Sequence, residues 1–286
     1  MNAFLRAAKR TLAGFGTACA RLLSRLWPSA DTRRRAIQRL RAAPRWVQIS
    51  LAVAVLGATW LCGNWIYQVA HKPVELLYSL SRGTFKTPPN TWKSYQVMFR
   101  AHSTPTISPE LLAALAQIES GGNPMARTYW TWRLTTNPFG VYRPASSAVG
   151  MYQLTDGTFR EMKRYCIHDH RVVEDGPWHD IHSCWFNAFY SRMLPSDAIE
   201  LTAAFLDRKV NGALTARKIT TATDQQKQDL AATIHLCGVT AGHRYAANRF
   251  RPRSGQRCGD HSLRLYLRSV DDMTKLFAQI ARDAAE

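Results

Sequence analysis

The chain has 286 residues, of which 46% are hydrophobic and 20% charged, and its formal net charge is +18. This length can hold one good-sized domain plus additional segments, and the apolar content excludes a chain too polar to build a packed core. The charge is uneven, because residues 1–45 carry eleven Lys or Arg against the single acid Asp31. A basic block of this kind is a solvated tail, or it faces nucleic acid or anionic lipid.

Residues 3–27 place Arg and Lys between apolar side chains, as an amphipathic basic helix does. We expect such a helix to lie on anionic lipid at the inner face of a membrane. Nucleic-acid binding by the same basic side chains is disfavoured, because the block leads directly into an apolar segment.

Residues 46–70 are almost entirely apolar and carry no charge, with Gln48, Asn64 and Gln68 as the main polar interruptions. About 20 such residues suffice to cross a bilayer, so the segment predicts a transmembrane helix. The arginines before it place the N-terminus in the cytoplasm and the remainder across the membrane. A buried core helix would rarely be so long and uncharged, and a cleaved signal peptide would begin earlier and be shorter.

Prolines and Gly83 interrupt the sequence after this segment, which predicts a stalk with a short helix near 74–80. A helix over 92–101 then opens the folded domain. We therefore expect four parts: a basic cytoplasmic segment over 1–45, a transmembrane helix over 46–70, a stalk over 71–91 and the domain over 92–286.

The next predicted helix ends at Glu119. Ser108 can cap its free N–H groups, Pro109 fits its first turn, and Gly121 follows its end. Its apolar face is formed by Leu111, Leu112, Leu115 and Ile118. Glu119 shares that face, and both desolvation and the negative end of the helix dipole favour its protonated form. A general acid needs such a carboxyl, although an isolated glutamate in a last turn is more often simply solvated.

The residues around Glu119 favour the functional interpretation. The sequence reads ESGGNP at 119–124 and SAVGMYQL at 147–154, and this pair resembles the soluble lytic transglycosylase (SLT) domain. The resemblance implies a mainly α, lysozyme-like domain with a very small strand element near Gln153. It also implies that Glu119 is the single acid/base in a cleft that cuts the glycan strands of peptidoglycan, with the second motif lining that cleft.

Between the two motifs lies a segment rich in aromatic side chains, comprising Tyr129, Trp130, Trp132, Phe139 and Tyr142. Aromatic faces can stack on the apolar faces of sugar rings. A small core or lid under a loop is an equally good interpretation.

The third family motif, Ala-Tyr-Asn-Ala-Gly, has an altered counterpart at 238–242. Val239 replaces its tyrosine and Thr240 its asparagine, so the tyrosine hydroxyl is missing at this position, and Tyr245 and Tyr266 are candidates to supply it. Both tyrosines also fit a plain role as half-buried amphipathic side chains. The residues for which the resemblance implies substrate binding are Ser120, Gly150, Met151, Tyr152, Gln153, Thr240, Tyr245 and Tyr266.

Residues 166–184 contain two cysteines and four histidines, a density that raises the question of a zinc site. The spacings match no familiar zinc finger, and in an oxidising compartment a disulfide is the simpler account. We therefore predict no metal site. Four of the six cysteines lie after the predicted transmembrane helix, and four cysteines allow three pairings. The choice that joins cysteines near in sequence pairs Cys166 with Cys184 and Cys237 with Cys258.

The predicted transmembrane helix and the arginines before it indicate a single-pass protein of the bacterial inner membrane with a periplasmic domain. The resemblance implies that this domain cleaves the bond between N-acetylmuramic acid and N-acetylglucosamine without a cofactor. Glu119 would protonate the glycosidic oxygen and then deprotonate the sugar's own 6-hydroxyl, which closes a 1,6-anhydro ring. A hydrolytic muramidase that uses Asp156 to activate water is one alternative. A catalytically disabled wall-binding or scaffold protein is another. Membrane anchoring is also compatible with an envelope-spanning secretion or conjugation machine as partner.

Overall fold

The computed structural model describes residues 30–72, 75, 85–180 and 182–284. The predicted basic helix over 3–27 and nearly all of the predicted stalk helix at 74–80 lie outside these residues. The chain divides into two compact units, with the boundary between Trp65 and Ile66.

Helix α1 spans Ala30–Ala42, and helix α2 spans Arg45–His71. Among the described residues, α2 is the one helix that is long and apolar enough to cross a membrane. Only 6% of its apolar window is buried, whereas the core helix of a soluble protein would be mostly buried. The helix contains the whole of the segment predicted at 46–70.

The second unit is mainly helical, which confirms the predicted fold class. Its helices are α3 (Pro88–Ala101), α4 (Pro109–Ser120), α5 (Asp156–Met162), α6 (Pro195–Ala216), α7 (Asp224–Cys237), α8 (Val239–Ala247) and α9 (Leu263–Asp283). Short 3₁₀ turns lie at Pro138–Gly140 and Trp185–Phe189. Helix α3 begins four residues before the predicted start, since Pro88 and Pro89 fit a first turn, where a missing N–H costs nothing.

The strands form three antiparallel hairpins. They are β1 (Trp130–Trp132) with β2 (Tyr142–Pro144), β3 (Tyr165–His168) with β4 (Arg171–Glu174), and β5 (Arg257–Cys258) with β6 (His261–Ser262). The strand expected near Gln153 is reduced to an isolated bridge between Val149 and Leu154. The β content therefore lies mostly away from the predicted place.

Helix α4 is buried on every side over residues 111–116, not only on the face that the leucine spacing predicts. Alanines at 113, 114 and 116 let the flanking helices α3 and α9 approach closely. Trp92 of α3 and Phe277 of α9 meet across this core, with ring centroids 6.0 Å apart. The helix that carries Glu119 is thus the centre of the domain.

The ends of α4 follow the predicted signals. The Ser108 side chain accepts a hydrogen bond from the Leu111 N–H, and Pro109 occupies the first turn. Gly121 ends the helix in the left-handed conformation with φ of +60°. Thr223 and Gln226 form a capping box at the start of α7.

Two disulfides join Cys166 to Cys184 and Cys237 to Cys258, which is the sequence-near pairing. The first ties β3 to the segment before α6, and the second ties the end of α7 to β5. Because both sulfurs in the His-rich segment are in a disulfide, neither is available as a zinc ligand.

The segment 147–154 forms a tight turn before α5. The N–H of Val149 donates to the Leu154 carbonyl, and the N–H of Leu154 donates back. Arg192 braces the turn, because its Nη1 donates to the carbonyls of Ser147 and Leu154. Gly150 sits against the Arg192 backbone with φ of +84°, and a Cβ at that position would lie 2.1 Å from the Arg192 oxygen.

We therefore expect Gly150→Ala to lower the stability of the domain by at least about 1–2 kcal/mol, the cost of placing a Cβ in the left-handed region. The matched control is Gly157→Ala in α5, where an added Cβ would meet no atom within 4 Å. That change should be neutral or slightly stabilising. Thermal unfolding of the full chain in detergent measures both, and equal melting temperatures for the two variants would contradict the close approach at Gly150.

Candidate active site

A cavity of about 430 Å³ opens where the C-terminus of α4 meets the 147–154 turn, α5 and the junction between α7 and α8. Its lining residues are Glu119, Tyr152, Gln153, Leu154, Thr155, Thr158, Glu161, Met162, Phe205, Ile234, His235, Leu236, Gly238 and Val239. The first two motifs and the start of the altered third one therefore meet at one site.

Glu119 stands in the last turn of α4, where the helix emerges from the core. Its side chain is 18% exposed, so a substrate can reach a carboxylate that is otherwise enclosed. The two glycines that follow let the chain turn sharply against α3, since a Cβ at Gly122 would meet Thr91 Oγ1 at 2.5 Å. The glycine pair thus positions the end of the helix.

Tyr266 on α9 donates a hydrogen bond from its hydroxyl to Glu119 Oε1 at 2.7 Å. Burial, and secondarily the neighbouring Glu119 charge, raises the pKa of Tyr266 well above its ordinary value. The hydroxyl therefore remains protonated and keeps its role as a donor. Of the two candidate tyrosines, Tyr266 is therefore the one whose hydroxyl contacts the candidate catalytic group.

Tyr245, the other candidate, lies outside this cavity. It is buried on α8, and its hydroxyl faces Asp229 Oδ2 at 3.5 Å. Burial and this carboxylate raise the pKa of Tyr245. The Tyr245 hydroxyl thus contacts Asp229 and not Glu119.

His235, in the last turn of α7, is a site residue that sequence reasoning missed. Its Nε2 lies 3.7 Å from Glu119 Oε1, and its side chain is only 8% exposed. Burial lowers the pKa of His235, while the Glu119 charge and a hydrogen bond with the Tyr152 backbone oppose this in part. The imidazole is therefore neutral near pH 7. The sequence signal that could have identified it is the position of this histidine, a titratable residue three positions before the third motif.

Three of the predicted binding residues hold the turn instead of facing the cavity opening. Ser120 is buried, and its Oγ donates to the Met151 carbonyl at 2.9 Å. Met151 is fully buried, and Tyr152 points its hydroxyl at the Leu112 carbonyl, 3.1 Å away in the core. These contacts pin the turn onto α4, so the three side chains offer almost no surface to a sugar.

Gln153 and the third motif contribute differently to the cavity. Gln153 has a φ of +49°, lines the cavity and donates from Nε2 to the Gly150 carbonyl at 2.9 Å. Gly238 and Val239 line the cavity, whereas Thr240 is exposed and is not part of the lining. The third motif therefore supplies backbone and an apolar side chain here, without the predicted threonine.

The second carboxylate at the cavity is not Asp156, the residue that the sequence offered for a hydrolytic mechanism. Asp156 forms an ion pair with Arg192 and does not line the cavity. Glu161 does line it, and its Oε1 lies 2.5 Å from Lys209 Nζ. Within the described residues, Glu161 is thus the second carboxylate of the cavity, in place of Asp156.

The aromatic segment packs largely on itself. Trp132 and Tyr142 stack with centroids 4.6 Å apart, and Trp130 lies 5.0 Å from Tyr142. The Trp130 indole N–H also donates to Glu75 Oε2 at 2.9 Å. None of these rings lines the Glu119 cavity, so they do not stack on a sugar held there.

With this geometry in place, the chain can be compared with known proteins. Residues 96–183 match the family model of the transglycosylase SLT domain. The match covers both Glu119 and the 147–154 turn, and it confirms the resemblance seen in the two motifs. No curated protein and no solved structure matches the chain. The domain supports peptidoglycan lytic transglycosylase activity in general, with peptidoglycan as substrate.

The Tyr266 hydrogen bond gives a matched pair of variants. Tyr266→Phe removes a donor to a charged group, an interaction worth about 1.5–3 kcal/mol, so peptidoglycan digestion should slow by roughly ten- to a hundredfold. Tyr190→Phe also removes a hydroxyl that donates to a carboxylate, Glu200 Oε2 at 2.8 Å, but at a position that does not line the cavity, so it should alter digestion little. Rates are measured on purified peptidoglycan with full-length proteins of equal melting temperature. Equal slowing of both variants would refute a specific role for Tyr266.

Proposed function

We propose that the chain is a membrane-anchored lytic transglycosylase that cleaves the bond between N-acetylmuramic acid and N-acetylglucosamine and forms a 1,6-anhydro product. The observation that carries this proposal is the Glu119 carboxylate in its cavity, with the Tyr266 hydroxyl bound to one of its oxygens. The SLT domain match supports the general class of reaction.

In the first step, protonated Glu119 gives its proton to the glycosidic oxygen as the bond from C1 of N-acetylmuramic acid to that oxygen breaks. N-acetylglucosamine leaves with the proton, and the acetamido oxygen stabilises the cationic C1 centre. Because Tyr266 engages Oε1, the Oε2 atom delivers the proton. The hydroxyl then stabilises the carboxylate that remains.

In the second step, the Glu119 carboxylate takes the proton of the muramic acid 6-hydroxyl, and that oxygen bonds to C1. The ring closes, the catalytic acid is restored and no water is consumed. A neutral His235 beside Glu119 leaves one group to carry the proton through both steps.

A hydrolytic muramidase is the second candidate, and Glu161 is the observation that favours it. A second carboxylate on the cavity wall could activate water, as in glycosidases that use two carboxyl groups. The ion pair of Glu161 with Lys209 argues against this role, because it commits the carboxylate to a fixed cation. The disabled-scaffold alternative is weakened, since Tyr266 brings to Glu119 the hydroxyl that the altered third motif lacks.

Glu119→Gln keeps the size of the side chain and removes its titratable proton. Digestion of peptidoglycan by the full chain should fall by roughly 10²–10⁴-fold, the contribution typical of general acid–base catalysis. Glu161→Gln and Asp156→Asn are the matched controls and should retain most of the activity. Mass spectrometry separates anhydro products from reducing ends, which are one water heavier. An active, folded Glu119→Gln protein would disprove the mechanism, and reducing-end products from the wild type would assign a hydrolase.

We further propose a single-pass protein of the bacterial inner membrane. In this arrangement residues 1–45 lie in the cytoplasm, 46–70 span the bilayer, 71–91 form the stalk, and 92–286 act in the periplasm on glycan strands. The apolar helix α2, the arginines before it and the two disulfides support it. An enzyme anchored in this way is suited to opening the wall for an envelope-spanning secretion or conjugation machine.

The topology is tested with a reporter that works only in the cytoplasm. Fused before Met1, the reporter should be active, and fused after Glu286 it should be inactive, because the positive-inside rule retains the arginine-rich side. Activity of the second fusion at the level of the first would overturn the proposed orientation.

A further inference from the structure

A second, larger cavity lies beside the first one. It has a volume of about 960 Å³ and runs along α8, the β5–β6 hairpin and the segment around 128–148. Five arginines line it, which we call the arginine groove: Arg133, Arg244, Arg251, Arg253 and Arg257. All five are exposed, so their charges face any molecule in the groove.

The charge of the arginine groove is nearly uncompensated. Asp260 is the one carboxylate among its lining residues, and no ion pair joins any of the five arginines to another residue within the described part of the chain. In the described part of the chain, Arg257 donates to the backbone carbonyl of Asp260 and Arg133 to that of Ala145. Like charges held together at a concave surface repel one another and favour an anionic ligand.

The arginine groove adjoins the Glu119 cavity. Leu236 lines both cavities, and His235 and Cys237 on either side of it line one each. The Cys237–Cys258 disulfide ties the end of α7 to β5, so the wall between the two cavities is covalently braced. A polymer cut at Glu119 would therefore have part of its length within reach of the arginines.

We propose, on the basis of the function proposed above, that the arginine groove binds the peptide chains of peptidoglycan through their carboxylates. The sugars of a glycan strand carry no charge apart from the lactyl group, and in intact peptidoglycan that group is amide-linked to the peptide. The negative charges of the polymer therefore lie on the peptides. A groove of this volume can hold several amino-acid residues, and the exposed Tyr129 ring on its wall offers an apolar contact beside the cations.

A membrane surface is a poorer fit for the same arginines. Lipid headgroups lie in a plane, whereas these side chains line a concave cavity that continues toward the catalytic one. The phosphate of a headgroup is nevertheless an anion, and the experiment needs a separate probe for it.

The test is a calorimetric titration of the full chain in neutral detergent at low salt. The probe is the N-acetylated peptide that an amidase releases from peptidoglycan, and its matched control is the same peptide with amidated carboxylates. We expect the acidic peptide to bind and the amidated one to bind at least about tenfold more weakly. Glycerol 3-phosphate serves as the probe for a lipid headgroup.

The protein variants are matched in net charge. Arg251→Glu with Arg253→Glu should weaken peptide binding by roughly five- to thirtyfold, since two exposed ion pairs are lost. Arg268→Glu with Arg282→Glu, two exposed positions on α9 outside the groove, should leave binding unchanged. On peptidoglycan, the groove variant should digest intact material more slowly than the wild type, and glycan stripped of peptides at the same rate.

Three results would overturn the proposal: equal binding of the acidic and amidated peptides, equal binding by the two charge-matched variants, or tighter binding of glycerol 3-phosphate than of the peptide. The titration involves no cleavage, so it is independent of the catalytic proposal. A Glu119→Gln protein should bind the peptide as the wild type does. If that variant also digested peptidoglycan normally, the catalytic proposal would fail and the peptide site would stand.

Discussion

The hydrogen bond from the Tyr266 hydroxyl to Glu119 Oε1 joins two residues that are 147 positions apart in the chain. It forms only if α9 packs against α4, so the geometry of the candidate site depends on the burial of one helix by the other. The same packing excludes water around the tyrosine, which keeps its hydroxyl protonated. In this domain the packing of α9 on α4 therefore also sets the geometry of the candidate site.

Helix α4 is the common support of the cleft. Its C-terminus carries Glu119. Its Ser120 side chain and Leu112 carbonyl hydrogen-bond Met151 and Tyr152 of the 147–154 turn. A turn pinned by buried hydrogen bonds has little freedom, which holds Gln153 in place at the cavity wall. Among the motif residues, Glu119 and Gln153 therefore line the cavity, whereas Ser120, Met151 and Tyr152 hold the turn against the helix.

Local signals in the sequence were enough to predict a substantial part of this structure. Helix α2 was predicted from an uncharged apolar run that is longer than a bilayer crossing requires. The length and charge of such a segment are properties of the chain alone. The ends of α4 followed from Ser108, Pro109 and Gly121, since caps satisfy backbone groups within a few residues. The two motifs around Glu119 and Gln153 identified the SLT domain, which the family model confirms.

Contacts between distant segments were decided only by the tertiary structure. The sequence left Tyr245 and Tyr266 equivalent, and only the packing of α8 and α9 places one hydroxyl on Asp229 and the other on Glu119. The cavity carboxylate Glu161 and the neighbour His235 could not be found from periodicity, because a pattern shows which face of a helix is buried but not what lies opposite. The arginine groove was likewise invisible, since its residues come from segments more than a hundred positions apart that pack side by side in the folded domain.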